Sequence, residues 1–338
     1  MQADEEGGWP PRAWYSYVAA PMVDQSDLAF RATAVQYGAT ATWTQMYHAD
    51  DIVLQGDIYE RARRALEQGK QAQEHVDIAM GTYAPQIVQL AGHDPASLLT
   101  AARLFSPYAD GIDLNLGCPQ TRAQRGHYGG YLLGRKDWPL VKQLVAALAH
   151  GCDRPISTKV RLCDYAPDTY ELATQLAHAG SSLITVHARH VAPNRRRAGP
   201  AKLEHVRAVV EALQAQGLHA SQPGGSTLVL SNGNVRTWDD IVANLAYTQA
   251  DGVMVGEPLL MQPDLFVSSV EPAKRPTARV LPTYLRLCEK YNVDTSLPFI
   301  KQHTQYILRS WAPGRETRIV QDQLRAAESV AAMRDVLR

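Results

Sequence analysis

The sequence predicts an α/β fold, a (β/α)8 barrel of the TIM type followed by a smaller helical C-terminal domain. Short β-like runs recur from Tyr17 to Val255, and stretches with apolar residues at helical spacing lie between them. Eight strands that alternate with helices indicate a parallel sheet that closes on itself. From about Pro272 this alternation stops, and only helical patterns follow.

The strands of the barrel are predicted from short apolar runs that end at polar residues or breakers. They are Tyr17–Ala20, Ala39–Trp43, Gln86–Leu90, Gly111–Asn115, Ile156–Val160, Leu183–His187, Thr227–Ser231 and Gly252–Val255. An open doubly wound sheet is the alternative, but a Rossmann sheet carries GxGxxG after its first strand. Here Ala20-Pro21-Met22 follows the first strand, so the barrel is favoured.

The outer helices are predicted from amphipathic stretches, two of which have start signals at Asp94-Pro95 and Thr237-Trp238-Asp239. The barrel helices are Leu28–Tyr37, Pro95–Tyr108, Trp138–Ala149, Asp168–Ala179, Leu203–Gln214 and Trp238–Thr248. The helices after the barrel are Val280–Tyr291, Leu297–Ser310 and Gln321–Leu337. The segment from His48 to Ala79 has no clear periodic apolar face, and we expect an insertion around the barrel mouth.

Three segments are expected: a flexible N-terminal segment at 1–14, a barrel domain at 15–271 and a helical domain at 272–338. The 338 residues can bury a large core. The sequence contains no run of eighteen apolar residues, so no membrane span is expected. The first eleven residues have neither the basic region nor the apolar region of a secretory signal. The four cysteines show neither paired nor metal-binding spacing, which favours reduced thiols in an intracellular compartment, cytoplasmic and/or nuclear.

Charge is distributed unevenly along the chain, although the net charge is zero. Residues 272–338 hold twelve Lys and Arg against six Asp and Glu, a net of +6, and the remainder carries a net of −6. This asymmetry suggests an anionic partner for the C-terminal segment. A solvated helical surface that is merely basic is the alternative.

Polar residues repeatedly close the apolar strands. They are Gln89, Asn115, Lys159, His187 and Asn232 with Asn234. A single one is usually a satisfied polar side chain, but together they indicate a site at the carboxyl end of the barrel. Gly233 and Gly256, after the last two strands, permit close backbone approach and, with a following helix N-terminus, predict a phosphate cradle. Either glycine alone would be read as a plain turn residue.

The stretch Asp113-Leu-Asn-Leu-Gly-Cys-Pro119 ends the fourth strand in two breakers, which places Cys118 on a loop past the carboxyl end. A lone cysteine in such a loop can equally be a small buried apolar residue. Cys152, Cys163 and Cys288 lie outside any comparable motif and are interpreted as structural.

The string Asn115-x-Gly117-Cys118-Pro119, followed by Arg125-Gly126-His127-Tyr128-Gly129, resembles the signature of tRNA dihydrouridine synthases. It is most similar to the eukaryotic branch that reduces uridines 16 and 17 of the D-loop, and further matches run from Ala20-Pro21-Met22 to Gly256. The resemblance implies an enzyme that uses FMN, with NADPH or NADH as reductant, to reduce a uridine of tRNA. It also implies that Cys118 is the proton donor.

The resemblance implies two further sets of residues. Those expected to bind FMN are Pro21, Met22, Gln89, Asn115, Lys159, His187, Asn232, Gly233, Asn234, Gly256 and Glu257. Those expected to contact tRNA are Arg122, Arg125, His127, Tyr128 and Arg189, and the Arg195–Arg197 run suits either phosphate contacts or a solvated loop. The family often has Gly-Arg after the eighth strand where this chain has Gly256-Glu257, so an arginine contact to phosphate is not carried over. No metal, membrane or obligatory protein partner is expected.

Two other functions remain open at this point. Another FMN barrel oxidoreductase, acting on a small molecule such as a dihydropyrimidine or dihydroorotate, would share the flavin residues but would need no basic helical domain. A non-catalytic RNA-binding barrel is disfavoured by the presence of both Cys118 and Lys159.

Overall fold

The computed structural model describes residues 12–74, 84–192, 199–267, 277–291, 294–310 and 314–338. Within them, parallel strands close into a barrel in the order β1 to β8, which confirms the predicted (β/α)8 fold. The strands are β1 (Tyr17–Ala19), β2 (Ala41–His48), β3 (Gln86–Ala91), β4 (Gly111–Leu116), β5 (Ile156–Leu162), β6 (Leu183–His190), β7 (Leu228–Asn232) and β8 (Gly252–Val255).

Several strands extend past their predicted carboxyl ends. β2 continues to His48, β5 to Leu162 and β6 to His190, and all three stay paired with a neighbouring strand over most of this length. The prediction stopped where the apolar pattern stopped, but the ladder is made by backbone groups and does not require apolar side chains. Arg161 and Arg189 at the barrel mouth are therefore held on strands and not on loops.

The outer helices match the predicted amphipathic stretches. They are α1 (Leu28–Gln36), α4 (Pro95–Phe105), α6 (Trp138–Gly151), α7 (Ala166–His178), α8 (Glu204–Ala215) and α9 (Trp238–Thr248). Both predicted start signals are caps: the Asp94 side chain accepts from the N–H of Ser97, and Thr237 forms a capping box with Asp240. None of the helices in the described ranges is both long and apolar enough to cross a membrane.

The segment after β2 was wrongly interpreted as an insertion. It forms α2 (Ala49–Leu54) and α3 (Gly56–Glu74), and α3 is the helix that connects β2 to β3 on the outside of the barrel. Ala62, Ala65 and Leu66 are buried on its inner face. Because two of these three side chains are alanine, the apolar periodicity was weak. Residues 75–79, the end of the predicted insertion, lie outside the described residues.

The C-terminal helices are α11 (Thr277–Lys290), α12 (Leu297–Leu308), α13 (Arg315–Ala326) and α14 (Val330–Asp335), preceded by the short α10 (Glu257–Met261). The single helix predicted over Gln321–Leu337 is two, because the Ser329 side chain caps the N–H of Ala332 and starts α14 afresh. Helices α1, α10, α11 and α12 share one hydrophobic cluster, which includes Phe30 and Leu285. The expected domain boundary falls within 268–276, outside the described residues.

The described part of the N-terminus reaches into the segment 1–14, which was expected to be flexible. Residues 1–11 lie outside the described part, but Arg12–Tyr15 form one 3-10 turn, whose first three residues belong to that segment. The Tyr15 side chain is fully buried, and its ring lies edge-on to that of Trp43 at 6.4 Å. This packing fixes the chain where it enters β1.

We predict that Gly252→Ala destabilises the protein because the backbone of the entering chain lies against this glycine. A Cβ atom at Gly252 would lie 1.8 Å from the carbonyl oxygen of Tyr15. Relief requires a backbone shift, and overpacking of this kind typically costs about 1–3 kcal/mol. The measurement is the free energy of unfolding in denaturant.

Gly56→Ala is the matched control for this change. No heavy atom lies within 4 Å of a Cβ atom built at Gly56, the first residue of α3. Equal unfolding free energies for Gly252→Ala and the unchanged protein would contradict the packing described at β8.

Candidate active site

A cavity of about 1220 Å³ lies at the carboxyl ends of the strands. It is lined by most of the residues predicted for a site, from β1 through β8 and the loops that follow them. These are Pro21, Met22, Gln89, Asn115, Cys118, Arg122, Lys159, His187, Arg189, Asn232, Gly233, Asn234, Gly256 and Glu257. The parallel closed sheet brings them together because all its strands end on the same side.

The register of neighbouring strands sets which side chains face each other. Asn115 on β4 is level with Lys159 on β5, and His187 on β6 is level with Asn232 on β7. Side chains two residues apart on a strand share a face. Lys159 and Arg161 therefore both reach the cavity from β5.

A directed chain of hydrogen bonds runs from the barrel interior to the cysteine loop. The buried carboxylate of Asp113 accepts from Nε2 of Gln89 at 2.7 Å, and from the hydroxyl of Ser157 at 2.6 Å. Oε1 of Gln89 accepts from Nδ2 of Asn115 at 2.8 Å. Oδ1 of Asn115 in turn accepts from the backbone N–H of Cys118 at 2.9 Å. This chain fixes the turn that carries the cysteine.

Cys118 lies in the cavity wall with its side chain mostly buried. Its exposed fraction is 8%, and burial raises the pKa of its thiol above the ordinary value. The thiol is therefore protonated at neutral pH. The loop is held from both sides, since Cys118 O accepts from the N–H of Gly130 at 3.1 Å and Gly117 O accepts from Nε of Arg161 at 2.8 Å.

The cations of β5 are partly desolvated. Burial, together with the nearby Arg161, lowers the pKa of Lys159 to about 8, and burial lowers that of Arg161 to about 10. Among the described residues, the ammonium of Lys159 has no hydrogen-bond or ion-pair partner. An anionic or strongly polar ligand in the cavity would restore the solvation that folding has removed from both cations.

Arg161 was missed as a site residue in the sequence. The signal was present, because Lys159-Val160-Arg161 places two cations on the same face of one strand. Asp113 was also missed, as its carboxylate does not line the cavity and acts on the site through Gln89 and through its charge near Lys159.

A second polar group surrounds the turn after β7. Burial and the cations Lys159, Arg161 and Arg189 lower the pKa of His187 well below its ordinary value, so its ring is neutral. Its Nε2 accepts from Nη1 of Arg189 at 3.0 Å, which leaves the proton on Nδ1. Nη2 of Arg189 also donates to Oδ1 of Asn234 at 3.1 Å. Arg189, predicted as a tRNA contact, thus lies beside residues predicted for the cofactor.

Gly233 makes room for close backbone packing in this turn. Its φ is +134°, and a Cβ atom there would lie 2.6 Å from the Cβ of Ala201. After β7, two N–H groups at the start of α9 are already bonded. Oδ2 of Asp240 accepts from the N–H groups of Arg236 at 2.8 Å and Thr237 at 2.9 Å, so these groups are not available to a ligand, contrary to the prediction. After β8, by contrast, no side chain of the described residues caps the N-terminus of α10 at Gly256, so that half of the predicted cradle stays a prediction.

Three predicted tRNA contacts do not line the cavity. Arg125 is exposed on the short α5 (Thr121–Arg125), and His127 points to Asp137 with 3.0 Å between Nε2 and Oδ1. Tyr128 is buried, packs in one cluster with Cys118, and lies edge-on to the ring of His48 at 4.8 Å. Tyr128 thus packs against the cysteine loop and supports it, and it does not line the cavity.

Arg122, on α5, does line the cavity and forms an ion pair with Asp51 of α2 at 2.5 Å. The Arg195–Arg197 run lies outside the described residues. All four cysteines are free, and the three interpreted as structural lie outside the cavity lining.

We predict that Asn115→Ala loosens the cysteine turn and exposes its thiol. The change removes the acceptor for the N–H groups of Gly117 and Cys118 and breaks the chain to Gln89. Loss of about 1–3 kcal/mol of turn stability would speed alkylation of Cys118 by up to about 100-fold. The measurement is the alkylation rate of the Cys118 peptide by mass spectrometry.

Gln124→Ala on the exposed side of α5 is the matched control, and should leave that rate unchanged. Equal alkylation rates in Asn115→Ala and Gln124→Ala would show that the hydrogen-bond chain does not hold the turn.

Two solved structures share the barrel fold. The 2-naphthoyl-CoA reductase complex with 2-naphthoyl-CoA aligns with a TM-score of 0.56 at 13% identity over 78% of this chain and 51% of that one. Histamine dehydrogenase from Rhizobium sp. 4-9 aligns with a TM-score of 0.51 at 12% identity over 80% of this chain and 49% of that one. At these identities the likeness shows the fold alone.

Sequence relatives are more specific. The tRNA-dihydrouridine(16/17) synthase [NAD(P)(+)] of Schizosaccharomyces pombe is 30% identical over 81% of this chain and 62% of its own length. The Saccharomyces cerevisiae protein of the same name is 31% identical over 74% of this chain and 53% of its own length. A human tRNA-dihydrouridine(20a/20b) synthase [NAD(P)+]-like protein is 31% identical over 75% of this chain and 71% of its own length.

The match thus spans between about half and three fifths of the length of the two yeast 16/17 relatives. The sequence model of the family described as dihydrouridine synthase (Dus) matches residues 18–338, from β1 through the last C-terminal helix. This chain therefore belongs to the dihydrouridine synthase family.

Proposed function

We propose that this protein is an FMN-dependent tRNA dihydrouridine synthase that reduces the C5–C6 double bond of a D-loop uridine, at position 16 or 17. One observation carries the proposal: a protonated thiol, Cys118, lies in the wall of a cavity that the half-buried cation Lys159 also faces. Relatives named 16/17 synthases, such as the S. pombe protein over 81% of this chain, support the choice of position.

The residues present fit a flavin phosphate. The cavity wall offers polar groups from several strands, with Gln89 and Lys159 on one side and the Gly233 turn with Arg189 on the other. Gly233 lines the cavity, and its missing side chain lets this turn pack closely against Ala201. When bound, FMN would supply the hydride that it has received from NADPH or NADH.

Within this site, Lys159 would meet the negative charge of a reduced flavin ring at its pyrimidine edge, beside the amide of Gln89. At the other end His187 is neutral, so the positive charge that faces a phosphate comes from Arg189. His187 keeps its Nδ1–H as a donor. Met22 and Pro21 line the wall from the loop after β1, and Asn232, Asn234, Gly256 and Glu257 complete the site.

Cys118 would act as the general acid. Hydride arrival at C6 of uracil leaves negative charge that a proton at C5 must neutralise. The raised pKa of the thiol keeps that proton available at neutral pH. Once the proton has left, the positive charges of Arg161 and Lys159 stabilise the remaining thiolate. The uridine must leave its stack to reach the cavity, as in other enzymes that act on a single base.

The C-terminal helices would hold the tRNA backbone. Arg315 and Arg318 are exposed on α13, and the guanidinium of Arg309 lies 5.0 Å from the ring centre of Tyr306 on α12. Arg122 and the exposed Arg125 remain predicted contacts nearer the cavity. A basic surface of this kind favours tRNA over the small-molecule alternative, which needs no polyanion grip.

We predict that the purified protein carries FMN and that Cys118→Ala retains it but loses turnover on tRNA. A positioned general acid typically contributes about 10²- to 10⁴-fold in rate. The measurement is single-turnover reduction of unmodified tRNA by the reduced protein, beside the flavin absorbance.

Cys152→Ala, at the end of α6 and remote from the cavity, is the matched control and should keep full activity. A colourless protein that takes up no added FMN would refute the cofactor proposal. Full turnover by Cys118→Ala would refute only the role of the thiol, and turnover on free uridine or dihydroorotate but not on tRNA would favour the small-molecule alternative.

We predict that Arg315→Glu/Arg318→Glu weakens tRNA binding and lowers its salt dependence. Each tRNA phosphate that the variant no longer neutralises reduces the slope of log affinity against log salt by about 0.7–0.9. Reduction of the flavin by the nicotinamide cofactor should not change, because neither arginine lines the cavity. The measurement is tRNA affinity at two salt concentrations.

The double reversal Arg64→Glu/Lys142→Glu applies the same charge change to exposed positions on the barrel helices α3 and α6. If it weakens tRNA binding as much as the α13 variant does, the C-terminal helices are not the specific grip.

A further inference from the structure

Four ionisable side chains are buried where α1 meets the C-terminal helices. This junction cluster consists of Asp27 and Arg31 from the start of α1, and Asp294 and His303 from the C-terminal part. Their side chains are between 1% and 5% exposed, and none of them lines the cavity. Buried charges are expensive unless they are paired, so a cluster of this kind calls for an explanation beyond packing.

Asp294 caps α1 from a distant part of the chain. Both of its carboxylate oxygens lie 3.1 Å from the N–H of Leu28, the first residue of α1. Asp27, the N-cap residue itself, accepts from the N–H of Phe30 at 2.9 Å. Two carboxylates therefore serve one helix N-terminus, where the helix dipole favours negative charge. One of them belongs to the C-terminal part of the chain.

Arg31 connects this cap to the cavity loop, which we define as residues 20–27. Nη1 of Arg31 lies 4.0 Å from Oδ2 of Asp294 and donates to the carbonyl oxygen of Ser26 at 2.7 Å. The Ser26 hydroxyl donates to Ala20 O at 3.0 Å and accepts from the N–H of Met22 at 2.9 Å. Ser26 thus closes the cavity loop, and Arg31 holds Ser26.

The cavity loop carries Met22 and Gln25, both of which line the cavity. Nε2 of Gln25 donates to Oε1 of Gln302 on α12 at 3.3 Å, a second contact between the loop and the C-terminal helices. The loop is therefore held between β1 on one side and the C-terminal helices on the other.

We propose that Arg31 and Asp294 are positioning residues through which the C-terminal helices hold the cavity loop in the shape that binds cofactor. The inference rests on the proposed function in one respect, that Met22 borders the flavin. It gives the C-terminal helices a second task besides contact with tRNA. A displacement of these helices by tRNA would be transmitted to the cofactor site through α1.

The alternative is that the junction cluster only adds to the packing between α1 and the C-terminal helices. In that case any change that destabilises these helices to the same extent would loosen the cavity loop equally. Leu324→Ala offers this comparison, because Leu324 on α13 is fully buried in the same hydrophobic cluster but takes no part in the hydrogen bonds of the loop or of the junction cluster.

The experiment compares Asp294→Ala with Leu324→Ala in the full chain at pH 7.5. At this pH both carboxylates are ionised and His303 is neutral, since burial raises the pKa values of Asp27 and Asp294 to about 6 and lowers that of His303 to about 4. Amide hydrogen exchange is measured for Met22, Gln25 and Ser26 in protein without flavin, at a temperature well below unfolding. FMN dissociation constants are measured separately by fluorescence quenching.

Asp294→Ala removes the acceptor for Leu28 and the countercharge of Arg31. Exchange in the cavity loop should rise about tenfold, and it should stay near the wild-type rate in Leu324→Ala. FMN affinity should fall roughly three- to tenfold in Asp294→Ala alone, because ordering of the loop becomes a cost of binding. Asp294→Asn, which keeps an acceptor oxygen, should recover part of both effects and serves as the test if Asp294→Ala does not fold.

Equal loop exchange in Asp294→Ala and Leu324→Ala would overturn the inference. Faster exchange with unchanged FMN affinity would also overturn it, since the loop would then not position the cofactor. A protein that binds no FMN at all would contradict the proposed function instead, and the exchange comparison would still decide whether the C-terminal helices hold the loop.

Discussion

The buried carboxylate of Asp113 gives the candidate site its polarity. An ionised carboxylate can accept hydrogen bonds but cannot donate them. Gln89 must therefore turn its amide nitrogen toward Asp113 and its oxygen toward Asn115. Because Asn115 donates to Gln89 through its amide nitrogen, its oxygen faces the N–H of Cys118 and accepts from it. Burial raises the pKa of Asp113 to about 6, which leaves it ionised at neutral pH and keeps the direction of the whole chain fixed.

The same barrel end concentrates positive charge. Lys159, Arg161 and Arg189 all reach the cavity, and burial together with these three cations lowers the pKa of His187 and keeps its ring neutral. Desolvation makes these cations costly for the protein alone, and a ligand that carries negative charge reduces that cost. This arrangement suits a phosphate at one end and a ring that gains negative charge at the other. Burial keeps the thiol of Cys118 protonated, and Arg161 and Lys159 would stabilise its thiolate.

The C-terminal part of the chain contacts the loop that lines the cavity and the helix that follows this loop. The loop after β1 lines the cavity, and the helix that follows the loop is capped by Asp294 from beyond the barrel. In the described residues α1 therefore has two structural roles. It is an outer helix of the barrel, and α11 and α12 pack against it. In the described residues the C-terminal part thus contacts the loop and the start of α1 without lining the cavity itself.

The sequence by itself determined the barrel, the set of polar residues at its mouth and the loop of Cys118. These features depend on local signals: period-two and helical patterns, Gly and Pro breakers, and the fact that parallel strands must end on one side. It could not show that Tyr128 supports the cysteine loop from below, or that α3 is a barrel helix with alanines on its inner face. Those outcomes depend on which way a side chain projects once its neighbours are packed. The contact between Asp294 and Leu28 joins residues 266 positions apart, and only the tertiary structure decided it, because no local pattern encodes which distant carboxylate will reach this helix N-terminus.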